Sequence, residues 1–126
     1  MTTLSAPPAS APAAVLDTTG IVPALPGVAE AVLAASYAQC HEVVQTRARN
    51  FYYGLRLTPE PRRSAVYSIY AWMRAGDDAA DEPVRAEERR AALHEFAARS
   101  RAVLSGDVDP GAPSMWLAFA ATVASY

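Results

Sequence analysis

Four carboxylates fall within the six residues Asp77-Asp78-Ala79-Ala80-Asp81-Glu82, and a cluster of that density calls for a counterion. On a helical wheel of about 100° per residue with Val66 at zero, Ile69 and Met73 fall at roughly 300° and roughly 340° and mark the expected buried side. On the same wheel Asp77, Tyr70, Asp81 and Arg74 follow in that order along or just beside this side, Asp78 falls on its flank and Glu82 faces away. Asp77 and Asp81 therefore form an i,i+4 pair along the face expected to enter the core, and like charges at that spacing repel. Burying them unpaired would cost far more. A hard divalent cation, Mg²⁺ above all, takes carboxylate oxygens while keeping waters and substrate phosphates as its remaining ligands. The competing reading is an acidic surface loop, with Gly76 ending the helix as a C′ glycine and Pro83 close behind. Spacing alone leaves both readings open.

Four helices must position this cluster. Residues 1–27 hold five of the ten prolines among Ala, Ser and Thr and are expected to be a disordered tail ahead of a helical domain at 28–126. The first helix is expected from Val28 to Arg47, with Leu33, Tyr37, Cys40 and Val44 on one stripe. Thr58 as cap and Pro59 at the first position open the central helix, Pro59 to Asp81. A third, Val84 to Leu104, turns Leu93, Phe96 and Val103 inward. His94 sits on its charged face and reads as solvated. Asp107 and Asp109 lie among Gly and Pro and read as a turn. Ser114 is expected to cap a last helix with Met115, Trp116, Phe119 and Val123, still running at Tyr126, as in a truncated chain.

Composition narrows the function. The chain of 126 residues is 52% hydrophobic, but 28 of those residues are alanine, which suits close helix packing and an all-α fold. A net charge of −2 and a pI near 5.6 give no basic surface for nucleic acid. All 11 cations are arginine, a side chain suited to bidentate phosphate contacts. The single cysteine, Cys40, excludes an internal disulfide and reads as a core residue in a reducing compartment. No stretch reaches the roughly 18–20 apolar residues of a membrane span, and the N-terminus lacks a signal peptide's basic start. The expectation is a cytoplasmic protein that touches the membrane surface to collect a greasy substrate.

A second candidate group is the basic and aromatic run Arg47-Ala48-Arg49-Asn50-Phe51-Tyr52-Tyr53-Gly54, where Asn50 and Gly54 permit a bend. If the first and central helices pack antiparallel through Gly54 to Thr58, this run lies more than two helical turns from Asp77. Only further helices or a long ligand would then join the groups. A ligand with a charged head and an apolar tail meets that geometry.

The run from Ala48 to Glu82, 35 continuous residues, resembles the first half of a squalene/phytoene synthase. That family carries an F(Y)-x-x-x-x-L-P-x-x-x-R segment and an A-x-Y-A-x-x-R-x-x-D-D-x-x-D-E signature, seen here as Phe51 to Arg62 and as Ser68 to Glu82. Weaker similarity extends from Tyr37 to Tyr126, most of all to the bacterial branch making presqualene diphosphate or squalene toward hopanoids. The resemblance implies the N-terminal part of an all-α isoprenoid-synthase bundle and head-to-head condensation of two prenyl diphosphates, commonly farnesyl. It implies Mg²⁺ held by Asp77 and Asp81 with Asp78 in support, and Tyr70 and Arg74 on diphosphate oxygens. It further implies Arg49 and Asn50 as polar substrate contacts and Phe51 and Leu55 along the prenyl chain. NADPH enters only if the parent makes squalene. The sequence departs from the pattern at Leu57-Thr58-Pro59, where Leu-Pro is usual, and at Asn50, where Ser is common. It ends before the family's second aspartate-rich motif, so the activity is expected of the parent rather than of these residues alone. The alternatives are a terpene cyclase or chain-elongating prenyltransferase and a non-catalytic helical domain that binds prenyl diphosphate or a partner subunit.

Overall fold

Five helices follow one another in a computed structural model that describes residues 22–126. They are α1 (Glu30–Arg47), α2 (Arg49–Leu55), α3 (Arg62–Asp81), α4 (Ala86–Leu104) and α5 (Trp116–Ser125). Among the described residues there is no strand, so the all-α expectation holds. Most of the expected tail lies outside the described residues, but its last part packs, with Leu25 only 4% exposed in the core.

The most apolar helix takes the most central place. In α5 every residue from Trp116 to Thr122 is buried, and a helix apolar on all sides is stable only when surrounded. It packs on α1, α3 and α4. Along α1, Leu33, Tyr37, Cys40 and Val44 are buried on the expected stripe. Cys40 is fully buried, which pushes its thiol pKa up and leaves it inert as a small core residue. Tyr37 and Ser68 meet Thr122 at 3.3 and 2.7 Å, and the carbonyls of Ala65 and Ala118 lie within reach as acceptors for the Ser68 and Thr122 hydroxyls. These buried hydroxyls are therefore satisfied where three helices converge.

Helix α3 reverses the expected inside and outside. Its buried residues are Ser64, Ala65, Tyr67, Ser68 and Ala71, whereas Ile69 and Met73 are 41% and 55% exposed. Small side chains face inward because α1, α4 and α5 all approach this helix closely. At Gly76 a Cβ would stand 3.0 Å from the Phe96 ring of α4. Gly76 thus lies inside the helix as a close-contact position and does not end it, so Asp77, Asp78 and Asp81 are helical.

The chain path also differs from the expected antiparallel pair. The His41 ring meets Tyr67 at 5.2 Å and Arg47 meets Asp78 at 3.2 Å, so α1 and α3 run in the same direction. The return is made by α2, read from the sequence only as a bend. Its Phe51 lies 5.7 Å from Tyr70 and its Tyr52 6.2 Å from Tyr67, and Arg63 donates to the Arg56 carbonyl at the start of α3.

Two expected caps are replaced. Neither Thr58 nor Ser114 caps a helix by its side chain. Glu60 instead accepts the Ser64 N–H at 3.1 Å and its hydroxyl at 2.8 Å, while pairing with Arg63, which satisfies an orphan donor at the positive end of α3. Ser114 adopts φ 56° and its carbonyl accepts the Ser36 hydroxyl. The Asp109 carboxylate accepts the Gly111 N–H at 2.9 Å, in the turn expected there.

His41 gives the fold a pH dependence. Burial between the edges of Tyr52 and Tyr67 lowers its pKa, the nearby Arg63 lowers it further, and Glu60 opposes both. With a folded pKa below the unfolded value of about 6.5, the unfolded chain binds more protons between the two. Stability is therefore complete above about pH 6.5 and falls as pH drops through that window. Urea midpoints measured from pH 7.5 to 5 should decline, and His41→Gln should flatten that part of the profile.

Candidate functional site

The outward face of α3 carries the candidate site. Ile69 and Met73 lie exposed along one arc that continues into exposed Asp77 and Asp81. From α2, Phe51 is 46% exposed and stacks at a tilt on half-buried Tyr70, with ring centroids 5.7 Å apart. The result is an apolar strip with a pair of carboxylates at its end. Large apolar side chains grouped on a surface mark a binding face.

The third aspartate behaves differently. Asp78, on the flank of the helix, has its Oδ1 3.2 Å from Nη2 of Arg47 and 3.5 Å from Nε of Arg74. Arg74 lies one turn before it on α3, and Arg47 arrives from the end of α1. The two chemical groups that an antiparallel reading kept apart are thus in direct contact. Sequence reasoning placed Arg47 in the basic run but gave it no site role, because its partner depends on the parallel course of α1 and α3. Arg74 Nε is buried without a hydrogen-bond partner, while its side chain and that of Arg47 remain 36% and 38% exposed.

The remaining sequence candidates divide. Arg49 and Asn50 are exposed on α2. Arg49 lines a separate hollow with Gln45, Thr46, Tyr52 and Tyr53, and among the described residues it joins none of the carboxylates in an ion pair. Leu55 is half-buried against the core. A concavity of about 800 Å³ lies elsewhere, between α4 and α5, where His94 and Asp109 line it.

Among the described residues no three His, Cys, Asp or Glu side chains converge to hold a metal ion. The exposed pair Asp77 and Asp81 still suits Mg²⁺, which binds through one or two carboxylates with waters and phosphate oxygens making up its shell. Among the described residues no helix is long and apolar enough to cross a membrane.

Residues 44–126 match the family described as squalene/phytoene synthase. The 15-cis-phytoene synthase of Synechococcus elongatus is 33% identical over 87 residues, which cover 69% of this chain and 28% of that protein. The phytoene synthase of Mycobacterium tuberculosis is 41% identical over 54 residues, covering 43% and 18%. Phytoene synthase 2 of Solanum lycopersicum is 34% identical over 75 residues, covering 60% and 24%. All three carry phytoene synthase names, which lends no support to the expected leaning toward the presqualene branch. The matched residues span only 18–28% of the length of these relatives. No solved structure matches.

Proposed function

Because the chain belongs to the squalene/phytoene synthase family, we propose that the outer face of α3 is one wall of a site that holds a prenyl diphosphate for head-to-head transfer. The observation that carries this reading is the exposed strip of Phe51, Ile69 and Met73 running into Asp77 and Asp81. It matches a ligand with a long apolar tail and a polyanionic head. Ile69 and Met73 would line the tail, with Phe51 and Tyr70 as its aromatic side. The guanidinium groups of Arg47 and Arg74 would take diphosphate oxygens, for which their planar donor forks are suited. Mg²⁺, held by Asp77 and Asp81, would supply Lewis-acid neutralisation of charge on the departing diphosphate.

The overall reaction would join two prenyl diphosphates with loss of diphosphate. The names of the relatives support a phytoene-type product over presqualene diphosphate or squalene, and with that choice NADPH drops out. This activity is proposed for a protein of the relatives' length, to which these residues contribute the wall described.

Calorimetric titration of the chain with geranylgeranyl diphosphate, two of which supply the carbons of a phytoene-type product, tests the wall directly. Binding should be much tighter with Mg²⁺ than without it and should weaken when inorganic pyrophosphate, which lacks the tail, replaces the prenyl compound. Absence of binding with and without Mg²⁺ would overturn the reading. Equal binding of both compounds would leave the apolar strip without its role.

A further inference from the structure

We propose that Asp78 is a positioning residue and not a metal ligand: it ties Arg47 of α1 to Arg74 of α3 as a paired anion clamp beside Asp77 and Asp81. This rests on the prenyl-diphosphate reading of the face. One carboxylate oxygen, Oδ1, serves both guanidinium groups, at 3.2 and 3.5 Å. An oxygen already facing two cations is a poor donor to a third. Asp77 and Asp81 differ in kind, since neither forms an ion pair among the described residues and both are exposed.

The placement gives the pair a use. Two guanidinium groups brought together without a carboxylate would repel each other, and Arg47 sits at the last residue of its helix, where a long side chain has many rotamers. Asp78 removes that freedom from a side chain on a different helix. Arg47 is held through Nη2 and Arg74 faces Asp78 through Nε. The remaining donors of both forks are left to an incoming anion. An ion pair this exposed adds little to stability, so its consequence lies in where the cations stand when a diphosphate arrives.

The test uses the 126-residue chain with inorganic pyrophosphate and Mg²⁺ as probes. Asp78→Asn should weaken pyrophosphate binding about fivefold at saturating Mg²⁺, a change of the size found for coupled neighbours, and should leave half-saturation by Mg²⁺ unchanged. In an Arg47→Gln background the same substitution should have less than half that effect. An Asp78→Asn effect that raises the Mg²⁺ requirement and persists in the Arg47→Gln background would overturn the proposal by making Asp78 a ligand. No effect on either quantity would overturn it by making the contacts ordinary surface pairs.

A second arm needs no ligand. In ¹⁵N NMR the Nη2–H signals of Arg47, the group that donates to Asp78, should be protected from exchange in the free chain and should lose that protection in Asp78→Asn. Freely exchanging signals in the unsubstituted chain would overturn the clamp whatever binds. Protected signals without any pyrophosphate binding would retain the clamp and sink the diphosphate reading instead.

Discussion

Phe119→Ala should lower the stability of the chain by about 3–5 kcal/mol, the range for removing a buried aromatic ring. Phe119 is 5% exposed and lies parallel to the Trp72 indole at 4.9 Å, with an interplanar angle of 4°. Trp116 meets its ring at 6.2 Å. On its other side Trp72 stacks with Phe96 at 5.7 Å and donates its indole N–H to the Ser100 hydroxyl at 2.9 Å. Trp72 thus joins α3 to α4 and α5, with Phe119 stacked on it from α5, and the surrounding helices cannot collapse into the gap without losing that stack. A small domain is stable by only about 5–15 kcal/mol, so urea denaturation should show a large fall in midpoint and partial unfolding without denaturant. Phe119→Leu, which keeps most of the volume, should cost less than half as much. Equal costs for the two substitutions would show that the stack contributes little beyond the volume it fills.

The same stack shows what could be read from the sequence and what could not. The α1 stripe of Leu33, Tyr37, Cys40 and Val44 was legible because these residues recur at helical spacing along one buried side. In α3 that rule failed. Val66, Ile69 and Met73 form the more evident apolar arc, yet the core takes Ser64, Ala65, Ser68 and Ala71 together with Tyr67, because three neighbouring helices pack on that side. A single sequence carries no mark of how near the neighbours come. Gly76 is the one local hint, since its missing side chain makes room for Phe96, but beside Pro83 it reads equally well as a helix end.

The candidate site was legible in its members and not in its connections. Asp77, Asp81, Tyr70 and Arg74 share the face of one helix, which helical periodicity alone fixes. The reversal of inside and outside changes their setting: Asp77 and Asp81 are exposed on an open side and do not enter the core. Arg47 was out of reach because its contact with Asp78 spans 31 residues and depends on α2 carrying the chain back alongside α3. Glu60 was missed as a cap because it precedes a proline and acts from outside the helix. In each case the missing information is a long-range path or a side-chain reach that local propensity does not contain.

Asp77→Asn should reduce Mg²⁺-dependent pyrophosphate binding by about 100-fold. A unit charge near a cation at about 4 Å interacts by about 4 kcal/mol at the effective dielectric of a protein surface. Mg²⁺ carries two charges, which doubles that figure, and screening at exposed Asp77 then leaves roughly 2.7 kcal/mol, about 100-fold in affinity. Asp81→Asn should act in the same direction, and the double substitution should add little once the cation is lost, since residues sharing one ligand are not additive. Without Mg²⁺ the sign should reverse. Removing either carboxylate then relieves repulsion of the polyanion, so the weak metal-free binding should strengthen in Asp77→Asn. That reversal separates a cation-bridged site from simple attraction to Arg47 and Arg74, which would make substitution of Asp77 or Asp81 favourable whether or not Mg²⁺ is present. Isothermal titration of the two single variants and the double variant, each with Mg²⁺ and with chelator, measures both signs. Tighter binding by Asp77→Asn in the presence of Mg²⁺ would remove the metal from the site and leave the arginines as its only means of holding a diphosphate.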